Sequence, residues 1–301
     1  MRACTSRWIA LLFAFALCVA ANAAPAASAA SPALWQIKSG KAVVYLFGTI
    51  HVLKPGTQWI TPAIDKAMTA SDDLWLEVPD DVSDPAALLP QVQTLALDPA
   101  HPLSAKITKA DLGRLDATLK SAGLPGEGPF EAVRPWFAAL MVSMLPAMKQ
   151  GYSATTGIDV SLRAKMTAAG KPVLGFETVG EQLHFLADLS PAEEVAFLHE
   201  SLDEAAAEAP KKTSNIDTLE TLWQNGDVDG AARVDAEFTA TDPALSKALI
   251  TDRNARWAKK LDERLHGEGT SFVAVGLAHL SGPGSLIEDL TKRGYTVTRI
   301  E

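Results

Sequence analysis

Two histidines occupy the same local frame at opposite ends of the chain. Gly48-Thr49-Ile50-His51 closes one apolar run, and Gly276-Leu277-Ala278-His279 closes another. Each run reads as a β-strand, Ala42 to Phe47 and Ser271 to Val275, followed by a turn containing Pro and Gly and then a helical pattern. Ligand sites in open α/β sheets lie beyond the carboxyl ends of the strands, so two such strands side by side would aim both imidazoles at one crevice. Gly48 and Gly276 have no Cβ, which lets the backbone turn sharply there or a cofactor or ligand approach closely.

A carboxylate stands at the end of the next strand. Along Asp73 to Val78, alternation places Asp73, Trp75 and Glu77 on one face, so Glu77 can reach the crevice beside His51. Glu177 ends a further strand-like segment, Lys171 to Thr178, by the same logic. Two histidines and one glutamate can hold a divalent ion and leave a position open for water, although the linear spacing is unlike a helical His-Glu-x-x-His site. The same groups also allow a reaction without metal, in which His51 or Glu77 takes a proton from water and Arg253 holds the developing oxyanion. Each residue has a plainer reading as well. A lone strand-end histidine can serve packing, Glu77 can cap the turn at Pro79-Asp80-Asp81, and Arg253 can face solvent with Arg256, Lys259 and Lys260.

The elements that must position these residues follow from the pattern. Leu34 to Lys38 and Ala42 to Phe47 form a hairpin around Ser39-Gly40, and Thr61-Pro62 opens a helix to about Ala70. With Asp73 to Val78 this makes a β-α-β unit whose second strand should lie parallel and next to the first. Residues 85–150 are helical, Gly157 to Ala169 is another helix, and residues 190–266 are helical with breaks at Pro210, Asn225-Gly226 and Asp242-Pro243. Ser271 to Val275, the helix Ser285 to Lys292 and the strand Tyr295 to Ile300 repeat the β-α-β order. The expected fold class is α/β: a central mixed, mostly parallel sheet built from N- and C-terminal β-α-β units. Helical inserts over 85–150 and 190–266 should form a lid over the strand ends.

Composition narrows the setting. Residues 1–23 read as a secretory signal: Arg2 and Arg7, an apolar core from Trp8 to Ala20, and the cleavage site Ala21-Asn22-Ala23. A spacer of Pro, Ala and Ser over 24–31 should be disordered, leaving 32–301 as one domain in an exported, periplasmic or secreted protein with no stable membrane anchor. Both cysteines, Cys4 and Cys18, fall inside the leader, so the exported chain has no thiol nucleophile and no thiolate ligand. Without Arg2 and Arg7 the chain has 25 basic and 36 acidic residues, a net charge of −11, which disfavours nucleic acid and anionic membrane as partners. P-loop, nucleophile-elbow and dinucleotide-binding signatures are absent in suitable context.

Taken in order, Tyr45-Leu46-Phe47-Gly48-Thr49-Ile50-His51-Val52-Leu53, Leu76-Glu77-Val78, Tyr152 through Gly157-Ile158-Asp159, Gly175-Phe176-Glu177-Thr178, Arg253-Asn254 and Val273 through Gly284 resemble the TraB/GumN family, related to the animal Tiki proteins. The resemblance spans roughly residues 32–301. It implies a fold similar to the erythromycin-esterase and ChaN-like group, with the Gly-x-x-His motifs at the active site. Tiki relatives are regarded as membrane-anchored metalloproteases that use manganese or cobalt. Carried over, this makes His51, Glu77 and His279 the metal and catalytic set, with Glu177, Arg253 and Asn254 as pocket residues. The function expected is a metal-dependent hydrolase acting on a peptide or small-molecule substrate, with manganese, cobalt or zinc as its ion. The alternatives are a peptide- or haem-sequestering protein and a metal-independent esterase.

Overall fold

The computed structural model of the chain describes residues 30–80, 85–206, 216–241 and 243–301. The leader over 1–23, the spacer up to residue 29 and the break at Pro210 lie outside the described residues. Six strands form one mixed, mostly parallel sheet: β1 (Leu34–Ser39), β2 (Lys41–Thr49), β3 (Asp73–Leu76), β4 (Val173–Gly175), β5 (Glu268–Gly276) and β6 (Val297–Arg299). Their order across the sheet is β4-β3-β5-β2-β1-β6.

β1 and β2 make the expected hairpin, pairing Ser39 with Ala42 around Gly40, whose φ of 55° suits a residue without Cβ. β2 and β5, from opposite ends of the chain, run parallel in continuous register from Lys41↔Glu268 to Thr49↔Gly276. β3 pairs with the other side of β5, and β4 with the outer side of β3, both parallel. The expectation that β3 lies next to β2 is therefore corrected: the strands run the same way, but β5 sits between them. Burial explains the placement. Ser271 to Val275 are buried throughout, and a strand that is apolar on both faces belongs in the interior of a sheet covered on both sides. β6 lies at the far edge, antiparallel to β1.

Each face of the sheet has its own core. Ile37, Val44, Leu46, Val273 and Val275 pack against Trp257, Leu261 and Leu265 of the helix Asp252–Leu265 and against Leu286 and Leu290 of the helix Leu286–Lys292. On the other face, Leu34, Phe47, Phe272 and Ala274 meet Ile64 and Met68 of the helix Pro62–Ala70, Leu162 and Met166 of the helix Ile158–Ala168, and Trp223 of the helix Ile216–Gln224. Full burial of one such apolar side chain is worth roughly 1.5–3 kcal/mol. The helix Pro62–Ala70 starts at Thr61, whose hydroxyl accepts from Ile64 N–H with Pro62 at the first turn.

Further helices build separate apolar clusters, chiefly through the helix Pro135–Lys149 packed on Pro191–Ala206. The helix Val179–Ala187 opens on a capping box formed by Thr178 and Glu181 and is the next element after β4. No helix among the described residues is long and apolar enough to cross a membrane.

Candidate active site

Four neighbouring parallel strands end on the same side of the sheet. His51 follows β2, Glu77 follows β3, Glu177 follows β4 and His279 follows β5. Glu77 is the meeting point of the two imidazoles: its Oε1 lies 3.9 Å from His51 Nε2 and 3.6 Å from His279 Nε2. Gly276 N–H donates to the same oxygen at 2.7 Å. Gly276 leaves the room that this convergence needs. A Cβ there would stand 3.2 Å from Glu77 Oε1 and 3.5 Å from His51 Nε2. Gly48 serves differently, because a Cβ there would come within 2.8 Å of Leu277 in the second motif. It thus lets the two motif turns touch each other.

The two histidines are held by different partners. His51 faces the crevice with 62% of its side chain exposed, and its Nδ1 lies 2.8 Å from Asp159 Oδ2. Asp159 sits in the first turn of the helix Ile158–Ala168, and its other oxygen accepts from Thr49 Oγ1 at 3.0 Å. Gly157 permits this close approach: a Cβ there would be 2.2 Å from the His51 carbonyl oxygen. His279 is 3% exposed, and its Nδ1 lies 2.8 Å from Asn254 Oδ1. Asn254 Nδ2 donates to Gly284 O at 2.8 Å, which identifies the oxygen as the atom facing the ring. The proton of His279 therefore sits on Nδ1, and Nε2 is left as the acceptor, which Arg253 Nη1 meets at 3.2 Å. Trp257 packs against the ring with centroids 4.4 Å apart.

Arg253 lies behind this arrangement at 5% exposure, so the solvent-facing reading is corrected. Its position on the helix explains why: Arg253, Asn254, Trp257, Ala258, Leu261 and Leu265 form one buried stripe. Nη2 donates to Glu77 Oε2 at 2.6 Å and approaches Glu177 Oε2 at 3.0 Å. Nη1 donates to Leu249 O at 3.0 Å and to His279 Nε2 at 3.2 Å, and Nε donates to Glu177. The N–H donors of this guanidinium are all engaged by protein partners. Glu177 accepts in addition from Trp257 Nε1 at 3.1 Å and Arg256 Nη2 at 3.3 Å. It holds Arg253 and Trp257 in place from below the crevice, much as the fully buried Asn254 holds His279.

These contacts separate the charges. Loss of hydration lowers the pKa of His51, but Asp159 and Glu77 outweigh it and raise it from 6.5 to about 9. For His279, burial, Arg253 and His51 outweigh Glu77 and lower it to about 4. Burial raises the pKa of Glu77, whereas His279, Arg253, His51 and the Gly276 N–H lower it further, so the group is a carboxylate held well below its usual range. Near neutral pH the crevice thus contains an imidazolium, a neutral imidazole, a carboxylate and a guanidinium.

Asp159 and Gln182 received no role from the sequence. Gln182 Nε2 donates to Glu77 Oε2 at 3.2 Å from the helix Val179–Ala187. An acidic residue in the first turn of a helix reads as a complement to the helix dipole, which hid the role of Asp159. The remaining histidines, His101, His184, His199 and His266, pair with nearby aspartates away from this crevice.

An uncharacterized protein of Treponema pallidum (strain Nichols) is 22% identical over 275 residues, covering 86% of this chain and 80% of the relative. Residues 33–299, from the first strand of the hairpin to the last strand of the sheet and so enclosing both histidine motifs and the acidic strand ends between them, match the TraB/PrgY/gumN family, and the chain belongs to it.

Proposed function

We propose that the protein is an exported, metal-dependent hydrolase acting on peptide bonds. One observation carries this reading: Asp159 and Asn254 each hold the Nδ1 of one histidine, so both Nε2 atoms turn onto Glu77 Oε1 across the Cβ-free Gly276. Metal-ligating histidines characteristically have the outer nitrogen fixed in this way by a carboxylate or carbonyl group. Among the described residues no three His, Asp or Glu side chains already stand at ion-ligating spacing. The donor set nevertheless suits a divalent ion, with two imidazole nitrogens and one carboxylate oxygen around a cradle that a methyl group at Gly276 would crowd. A manganese, cobalt or zinc ion would be held by His51 Nε2 once that atom gives up its proton and by His279 Nε2 once Arg253 Nη1 moves off it, and would supply Lewis acidity that lowers the pKa of water and polarises a carbonyl.

The residues of the chain contribute the rest. Glu77 would either complete the coordination or take the proton from water with Oε1, while Arg253 and Gln182 hold Oε2 and fix its orientation. Arg253 acts through Glu77 and His279, since its donors are committed to them and to Glu177, rather than as an oxyanion donor. The helical inserts over 85–150 and 190–266 serve as a lid, and the helix Val179–Ala187 between them brings Gln182 to Glu77 and Phe185 to Arg253. Peptide as substrate rests on the likeness to Tiki peptidases, and export rests on the leader over 1–23.

The test is divalent-ion content together with hydrolysis of a peptide library by wild type, His51→Ala and His279→Ala. Ion-loaded wild type that is no more active than either variant rules the reading out. The second reading, a metal-independent hydrolase, draws on the direct Arg253–Glu77 ion pair at 2.6 Å, which compensates the carboxylate without an ion. Activity that survives exhaustive chelation favours it.

A further inference from the structure

The arm that carries His51 is gripped from outside by the helix Ile216–Gln224. Trp223 packs against Phe47 and Trp59, and its Nε1 donates to the carbonyl of Gly48 at 2.7 Å. One and nearly two turns earlier, Glu220 and Asp217 reach Tyr152, which is joined to the same arm through the Leu53↔Ser153 bridge beside it. The buried Tyr152 oxygen lies 2.7 Å from Asp217 Oδ1 and 2.6 Å from Glu220 Oε2.

A hydroxyl has one proton, so it can donate to only one of two carboxylates. At these separations the other contact would press two unprotonated oxygens together, unless a second proton lies between them. Lys54 decides which contact that is. Its ammonium donates to Asp217 Oδ1 at 2.7 Å and lies 4.7 Å over the Tyr152 ring. With the Tyr152 hydroxyl it holds the Asp217 carboxyl below its usual range. Among the described residues Glu220 has no cation as a hydrogen-bond partner: Oε1 accepts from Gln224 Nε2 at 2.9 Å, and the Thr57 hydroxyl stands 3.3 Å away. Among the described residues, the charged and titratable groups in contact with the cluster include Lys54 from the arm, Tyr152 from its bridge partner and Asp217 from the helix.

We propose that Glu220 enters this cluster as the neutral acid, donating to Tyr152 while Tyr152 donates to Asp217, and that this chain makes Tyr152 and Glu220 positioning residues for His51. The idea rests on the functional reading of His51, but its tests need no turnover.

In the infrared difference spectrum of wild type minus Glu220→Gln near neutral pH, the carbonyl stretch of a protonated carboxylic acid is expected, moving in heavy water. Absence of that band overturns the assignment. Labelling glutamate with carbon-13 reads the same band without substitution, so a variant that misfolds does not block the test. For the positioning role, amide hydrogen exchange over residues 50–57 should quicken about tenfold in Tyr152→Phe and Glu220→Leu, the worth of one lost hydrogen bond. Glu220→Gln, whose amide N–H can replace the acid O–H, should keep the wild-type rate. Folded variants that all exchange like wild type overturn the positioning role. A protein that hydrolyses nothing but shows the band and this exchange pattern keeps the proton-sharing cluster and loses only the enzyme reading.

Discussion

The two Gly-x-x-His arms have the same local sequence frame and end in opposite chemical states. The first histidine is exposed and backed by a carboxylate, so it is a cation near neutral pH. The second is buried, backed by an amide oxygen and packed on Trp257, so it is neutral over the same range. The difference lies in what touches Nδ1 and in how much water reaches the ring, neither of which belongs to the motif. A repeated motif therefore delivers a ring to a place, and its surroundings decide what the ring does there.

The harshest way to break the comparison is to remove the shared partner. Glu77→Ala should cost about a thousandfold or more in kcat/KM, within the range for loss of a general base, while His51 and His279 remain in place. Wild-type activity in this variant would mean that the two arms do not converge functionally. Exchanging the backing groups sharpens the comparison. Asp159→Asn should lower the pKa of His51 from about 9 and cost about ten- to a hundredfold in ion affinity or activity. Asn254→Asp should raise that of His279 from about 4, and imidazole NMR titrations of both variants report the two shifts directly. Titrations unchanged by either exchange would show that the backing groups are not what separates the two rings.

A smaller effect is expected at the shared floor. Gly276→Ala crowds Glu77 Oε1 at 3.2 Å and should weaken divalent-ion binding, measured by calorimetry, by about tenfold, equivalent to about 1.4 kcal/mol. The smallest is a pair of opposite slopes in melting temperature. His51 keeps its proton when folded up to about pH 9, so its contribution is full below 6.5 and is lost as pH rises through 9. His279 refuses its proton until about pH 4, so a penalty grows as pH falls from 6.5 to 4. His51→Asn should remove the alkaline slope and His279→Asn the acid one. The first is modest because that ring is largely exposed to screening solvent.

Much of the frame was legible because it is written in local patterns. Strand ends carry Gly or an acid after alternating apolar residues, and Thr61-Pro62 marks a helix start in the sequence itself. Strand order was less so. Nothing in the short β2-helix-β3 unit reveals that a strand nearly two hundred residues later will enter between its members. The start of the helix Val179–Ala187 had a local signature, Thr178 followed by Glu181, masked by the strand-like run before it. The solvent-facing alternative for Arg253 arose because Arg256, Lys259 and Lys260 suggested a solvated face, although its own spacing to Trp257 and Leu261 places it on the apolar stripe. Asp159 lies 108 residues from His51, and only the folded chain brings them together.

The seat of β5 between β2 and β3 bears on how the protein is made. A chain emerging amino end first carries His51 and Glu77 early, but with an open slot where the last long strand belongs. Closing it requires a contact between remote parts of the sequence, the slow kind of step in folding. The crevice of such a chain stays unassembled through synthesis and arises only when that strand docks.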